Sequence, residues 1–299
     1  MKATPRFWSA AESGVETPEG HHWFLRKWGW SDVSVEDAAA QARERLQQVI
    51  TKVRTGQELG WDYYPRTPLR EPILADVTTP DGTLIAQVTR NRYGTDVLNT
   101  DRMLIADVDL AVARRRGPLF QVTEPGGLLG RLFGRRDVEQ VAPSADEQAE
   151  QAAMLRIQQW AAAHPDWGVH VYRTNAGLRV LVTGADLPAG SAAAEQALND
   201  LRSDPIYVLL CATHETYRAR LTPKPWRVRH WALTVPWPHR SPADDRRFQE
   251  WITGYVDKSA AYATCRLVWR AGPPPSPAEQ QLLALHDQVT RVGQQLPLA

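Results

Sequence analysis

Two aspartates, Asp107 and Asp109, close the apolar run Met103-Leu104-Ile105-Ala106 and stand two residues apart. On a strand, a period of two places both carboxylates on one sheet face, about 6.5–7 Å apart along the chain. Two hard oxygen donors on one rigid strand suit a divalent cation, Mg2+ or Mn2+. The ion's other positions stay open to water and phosphate oxygens, the arrangement that phosphoryl transfer uses. The bland alternative is that the pair ends the strand, caps the next turn or pairs with arginine.

Cationic and aromatic residues cluster around this motif in the sequence. Arg173 and Arg179 straddle the tight Asn175-Ala176-Gly177 turn, where two guanidiniums can clamp a phosphate; a surface ion pair is the plainer reading of either one alone. The segment Arg218-Ala219-Arg220-Leu221-Thr222-Pro223-Lys224-Pro225-Trp226-Arg227 joins four cations to an indole and two stiffening prolines. That combination fits a phosphodiester backbone with a stacked base, against the alternative of a solvated basic edge strand with Trp226 in the core. A second run, Arg90-Asn91-Arg92-Tyr93-Gly94, lies just before the acidic strand and is expected to line the same cleft, with Arg90 and Arg92 on phosphates and Tyr93 stacking.

Charge is balanced overall, 35 Lys and Arg against 34 Asp and Glu, so no global field holds a polyanion. The placement is uneven. Thr216 to Ala243 carries six cations and no carboxylate, and 30 of the 35 bases are Arg. Several chemistries are excluded. Two cysteines outside any C-x-x-C pattern supply no disulfide framework, scattered histidines form no zinc hydrolase or deaminase motif, and there is neither a P-loop nor a G-x-S-x-G elbow. No window reaches the roughly 18 to 20 apolar residues of a membrane span, and the first nineteen residues lack a secretory core, so the expectation is a cytoplasmic protein with no membrane partner.

The elements that must position these groups follow from periodicity. The first 21 residues show none and are expected to form a mobile arm. His22–Trp30 concentrates three Trp and a Phe, read as a hydrophobic wedge rather than a base-stacking platform, before a capped helix from Ser34 to Val53. Hairpins are expected over 73–89 around Asp81-Gly82 and over 169–183 around Asn175-Ala176-Gly177, with the acidic strand between them. The six Arg and five Gly of 113–141 predict a long basic loop within 113–142. Helices are expected from Ser144 to His164, from 192 to 202, and from a cap at Asp204-Pro205. A stiff Gly272-Pro273-Pro274-Pro275 linker leads to a final helix opened by Ser276, packed on the body, with His286-Asp287 on its surface.

Together Lys27-Trp28-Gly29-Trp30-Ser31, Thr89-Arg90-Asn91-Arg92-Tyr93-Gly94, Asp107-Val108-Asp109, Tyr172-Arg173-Thr174-Asn175-Ala176-Gly177-Leu178-Arg179 and Arg218–Arg227 resemble the motifs of an uncharacterised bacterial protein family, over roughly residues 22–290. More distantly, the acidic strand, helix and Gly-turn hairpin are similar to the archaeo-eukaryotic primase (primase-polymerase) superfamily. That resemblance implies an RRM-like core in which Asp107 and Asp109 bind metal. Arg179 stands nearest the place where the superfamily carries a His, and no third acidic strand motif is evident.

The reading is an α+β protein: an RRM-like, largely antiparallel central sheet covered by helices, one domain over 22–270, with N- and C-terminal helical additions, the latter over 271–299. Its expected function is nucleotidyl or phosphoryl transfer on nucleic acid or nucleotides, dependent on Mg2+ or Mn2+. Asp107 and Asp109 hold the ion, and Arg90, Arg92, Arg173, Arg179, Arg218, Arg220, Lys224 and Arg227 hold phosphates, while Trp226 and Tyr93 stack bases. The alternative is a non-catalytic nucleic-acid-binding or assembly protein with a basic surface.

Overall fold

The computed structural model describes residues 3–57, 59, 67–110 and 144–299. The basic loop expected over 113–142 lies outside them. Two antiparallel four-stranded sheets carry the body. The first has the order β3-β4-β5-β9, from Ile73–Thr78, Leu84–Arg90, Asp96–Thr100 and Tyr217–Arg220. The second has the order β10-β7-β8-β6, from Cys265–Ala271, Gly168–Thr174, Gly177–Thr183 and Leu104–Asp109. The sheets approach each other where β9 lies beside β6.

The acidic strand forms where its pattern puts it. Leu104, Ile105 and Ala106 are fully buried and pair with Val182, Leu181 and Val180 of β8, so the strand is anchored by core packing on both faces. Both expected hairpins form, β3–β4 and β7–β8. Helices begin at the residues that cap them. Ser34 opens α1 (Val35–Arg54), Ser144 closes a capping box on α2 (Ala145–Ala162), and Asp204 with Pro205 starts α4 (Pro205–His214) after α3 (Ala192–Asp200). Ser276 builds a second capping box on α6 (Pro277–Thr290), which buries Leu282 and Leu283 in the main core. Helix α5 (Pro242–Ser259) and strands β5 and β10 were not anticipated.

The N-terminal expectation is corrected. Instead of a mobile arm over 1–21, Phe7–Glu16 forms β1, paired residue for residue with β2 (His22–Ser31), so the aromatic run is a strand. β2 supplies the ladder that β1, which shows no local periodicity, needs. Helix α1 then packs on this ribbon where Gly29 lets the backbones touch: a Cβ there would stand 2.0 Å from the Ala38 carbonyl oxygen and 2.4 Å from the Ala42 nitrogen. Among the described residues no helix is long and apolar enough to cross a membrane.

Candidate functional site

Asp107 and Asp109 lie on the same face at the end of β6, Asp107 partly exposed and directly opposite Arg179 of β8, Asp109 exposed and opposite Gly177. The backbone of Asp107 is fixed from the other edge. Its N–H donates to Ser203 Oγ at 3.1 Å, and its carbonyl accepts from the Asp204 N–H at 2.8 Å and from the Ser203 hydroxyl at 3.1 Å. The turn between α3 and α4 therefore holds the acidic strand end in place. No salt bridge engages the Asp107 carboxylate among the described residues, and Arg220, Lys224 and Arg227 all feel its charge.

Four cations converge on this pair from three elements. Arg179, 2 % exposed, donates from Nη1 to the Arg220 carbonyl at 2.8 Å and to His286 Nε2 at 3.2 Å. Arg220 ends β9, Lys224 caps a 3-10 turn over Pro225–Val228, and Arg227 sits on that turn. The segment between them is pinned by the Tyr255 hydroxyl, which donates to the Pro223 carbonyl at 2.6 Å, and by the Leu221 N–H, which donates to the Asp96 carbonyl at 2.8 Å. Burial pushes Arg220 down to about 10, and Arg179 and Arg227 push the same way against the opposing charge of Asp107. Burial likewise pushes Lys224 down to about 8, helped by Arg220 and Arg227 and resisted by Asp107 and Asp109. Arg227 is lowered by burial against the same two carboxylates.

Three of these guanidiniums are incompletely satisfied. Arg179 Nε, Arg220 Nε and Arg227 Nη1 are buried without a hydrogen-bond partner among the described residues. Buried N–H groups on cations are costly to leave unmade, and guanidinium donors are the kind that bind phosphate oxygens.

Aromatic groups border the cations. Trp226 is 50 % exposed, so it is not a core residue, and Tyr93 packs edge-on against it with ring centroids 5.6 Å apart. Lys224 Nζ lies 5.7 Å from the Trp226 ring, and Arg92 Nη2 donates to the Tyr93 hydroxyl at 2.5 Å. The turn bearing Tyr93 depends on Gly94, which has φ +93° and sits against Trp251; a Cβ would come within 2.0 Å of that indole.

Other expected phosphate ligands are occupied elsewhere. Arg173 pairs with Glu150 at 2.9 Å and donates to the Thr174 and Gly177 carbonyls, so it clamps its own hairpin turn. Arg218 is held bidentately by the buried Glu71 at 2.8 and 2.9 Å, and Glu71 in turn accepts from the Thr89 hydroxyl. Arg90 pairs with Asp96 at 2.9 Å, and Arg90 and Arg92 both line a separate cavity.

His286 is the residue that sequence reasoning misplaced. It is fully buried rather than on the helix surface. Its Nδ1 faces Asp287 Oδ1 at 2.9 Å, so the neutral ring donates there and accepts from Arg179 at Nε2; burial lowers its pKa to about 4 and keeps it neutral. The buried positions Glu279, Leu282, Leu283, His286 and Thr290 follow a helical i, i+3, i+4 pattern, a signal that puts His286 inward.

The donor set fits a hard divalent ion on two carboxylates, with phosphate and water completing its shell. Among the described residues no group of three or more acidic, His or Cys side chains gathers to form a closed metal cage. Compared with protein-family models, curated proteins and solved structures, the chain finds no match.

Proposed function

We propose that this site carries out divalent-metal-dependent nucleotidyl or phosphoryl transfer on nucleic acid or nucleotides. The observation that carries the reading is the meeting of the Asp107/Asp109 pair with Arg179, Arg220, Lys224 and Arg227, three of whose buried donors have no partner. The element order supports an RRM-like core of primase-polymerase type. Strand β6, helix α2, strands β7 and β8, helices α3 and α4, and strand β9 follow a βαββαβ sequence; β6 pairs with β8, while β9 pairs with β5 in the other sheet and approaches β6.

In this reading Asp107 and Asp109 hold Mg2+ or Mn2+, which when bound supplies Lewis-acid polarisation of a phosphoryl oxygen. Arg179 and Arg220, fixed by core packing before substrate arrives, meet the charge that develops on the equatorial and leaving oxygens. Lys224 adds a positive charge that the anion itself stabilises. Trp226, with Tyr93 behind it, offers a face to a base. A cytoplasmic setting and a nucleic-acid or nucleotide partner belong to the same reading.

A second reading, non-catalytic nucleic-acid binding or assembly on a basic surface, draws on the absence of a third metal-ligating side chain beside the pair among the described residues. One experiment separates the two. Wild type and the Asp107→Asn/Asp109→Asn protein are incubated with labelled single-stranded DNA, nucleoside triphosphates and Mn2+ or Mg2+. Metal-dependent product that disappears in the double variant, at unchanged melting temperature, is expected. Equal turnover in both proteins overturns the proposal. Salt-sensitive binding with no divalent-dependent turnover in either moves the assignment to the binding reading.

A further inference from the structure

We propose that the cavity between the β3–β4 edge, the 231–239 segment and α5 binds a small planar aromatic anion. This inference is independent of the phosphoryl-transfer reading. The cavity holds about 330 Å³, room for one ring system and its substituents, which is the low end of small-molecule sites and too little for a polynucleotide. Its walls are apolar and aromatic, built from Leu74, Leu233, Val235, Trp237 and Phe248.

Three guanidiniums stand around those walls, and their partners decide the sign of the ligand. Arg90 lies over the Phe248 ring at 5.7 Å and is neutralised by Asp96. Arg70 donates from Nε to the Trp237 carbonyl at 2.8 Å and stacks over Trp28 at 3.9 Å, and Arg92 bonds the neutral Tyr93 hydroxyl. Among the described residues neither Arg70 nor Arg92 has a carboxylate partner. Burial weakens the hold of Arg70 on its proton, and no acid offsets this. An apolar chamber with two uncompensated cations at its margin favours a ligand with an apolar body and a negative head.

The site is also distinct from the acidic pair. The Asn91–Gly94 turn divides them: Arg92 lines the cavity while Tyr93, the next residue, packs on Trp226 beside Lys224. Val235 is buried, and the Leu233 N–H donates to the Tyr93 carbonyl at 3.1 Å, so the wall is a fixed part of the fold rather than a loose loop. Two sources share the required chemistry, a nucleoside monophosphate and an aromatic carboxylate.

The test uses 8-anilinonaphthalene-1-sulfonate, itself an aromatic anion, as a fluorescent probe of the full chain. One saturable site is expected, displaced by adenosine monophosphate or indole-3-acetate and not by adenosine or indole; the stronger competitor identifies the source. Arg92→Ala, an exposed change that leaves the fold intact, weakens the probe about tenfold through the lost charge-assisted hydrogen bond. Val235→Trp fills the chamber and abolishes binding, and Arg92→Ala decides alone should that variant fail to fold. Non-saturable binding, equal displacement by the neutral competitors, or unchanged affinity in both folded variants overturns the proposal.

Discussion

Lys224 offers the sharpest quantitative handle on the site, because its charge is disfavoured by burial and by Arg220 and Arg227 until an anion arrives. With a pKa of about 8, it is half-charged at pH 8 and fully charged at pH 6.5. The unfolded chain, with an ordinary lysine, holds that proton more tightly than the fold does, so below pH 8 the charged amine opposes folding. The penalty is relieved as pH rises from about 8 toward the ordinary lysine value. Allowing for an amine partly open to water, Lys224→Met stabilises the protein at neutral pH by about 1–2 kcal/mol in urea unfolding, and the gain shrinks above pH 8. Binding shows the same proton. A short oligodeoxyadenylate, whose phosphodiesters do not titrate in this range, restores the charge of Lys224 and so takes up about half a proton at pH 8 and nearly none at pH 6.5. Calorimetry in buffers of different ionisation enthalpy reads this directly. Affinity falls up to about tenfold per pH unit above 8. Because Asp107 and Asp109 hold the Lys224 pKa up, replacing both with Asn moves the midpoint of proton uptake below 8. Arg220, at about 10, and His286, at about 4, are silent in this window. Buffer-independent heats at pH 8, or a Lys224→Met protein less stable than wild type at pH 7, would refute the placement of Lys224 in a cationic, anion-seeking cluster.

Arg218→Met leaves the buried Glu71 without its bidentate partner and lowers stability by about 3–5 kcal/mol, with oligonucleotide affinity per folded molecule unchanged; adding Glu71→Gln restores much of the loss. Trp226→Ala removes a half-exposed ring, so it alters stability by no more than about 1 kcal/mol while weakening single-strand binding roughly five- to a hundredfold in fluorescence anisotropy. Gly29→Ala forces β2 away from α1 at the Ala38 carbonyl and lowers stability by about 3 kcal/mol in chemical denaturation; an unchanged midpoint would contradict the close approach of those backbones.

Local signals carried much of this architecture. Ser144-x-x-Glu147 and Ser276-x-x-Glu279 mark helix starts because the cap is a short-range hydrogen-bond pattern, and Asp204-Pro205 does the same. The acidic strand was legible because an unbroken apolar run ending in two acids has few other readings. Long-range pairing was not legible. Phe7–Glu16 lacks an alternating pattern and becomes a strand only because the aromatic β2 supplies its ladder. Arg218 and Arg220 lie two residues apart on β9, and nothing local distinguishes them. Glu71, 147 residues upstream of Arg218, neutralises it, whereas Arg220 sits beside Arg179 with a donor unpaired. His286-Asp287 reads as helix surface because two polar side chains in succession carry no local sign of burial. The buried face instead runs through Glu279, Leu282, Leu283, His286 and Thr290, where polar side chains are satisfied internally.

The most direct test of the acidic pair is a calorimetric Mn2+ titration of the wild type and of the Asp107→Asn/Asp109→Asn protein, each with and without oligodeoxyadenylate. The wild type is predicted to bind Mn2+ at the pair and to bind it more tightly with the phosphate present, and the double variant to lose that binding while keeping its fold. Equal Mn2+ binding by both proteins, or none by either, would contradict the assignment and leave Arg179, Arg220, Lys224 and Arg227 as a phosphate-binding surface alone.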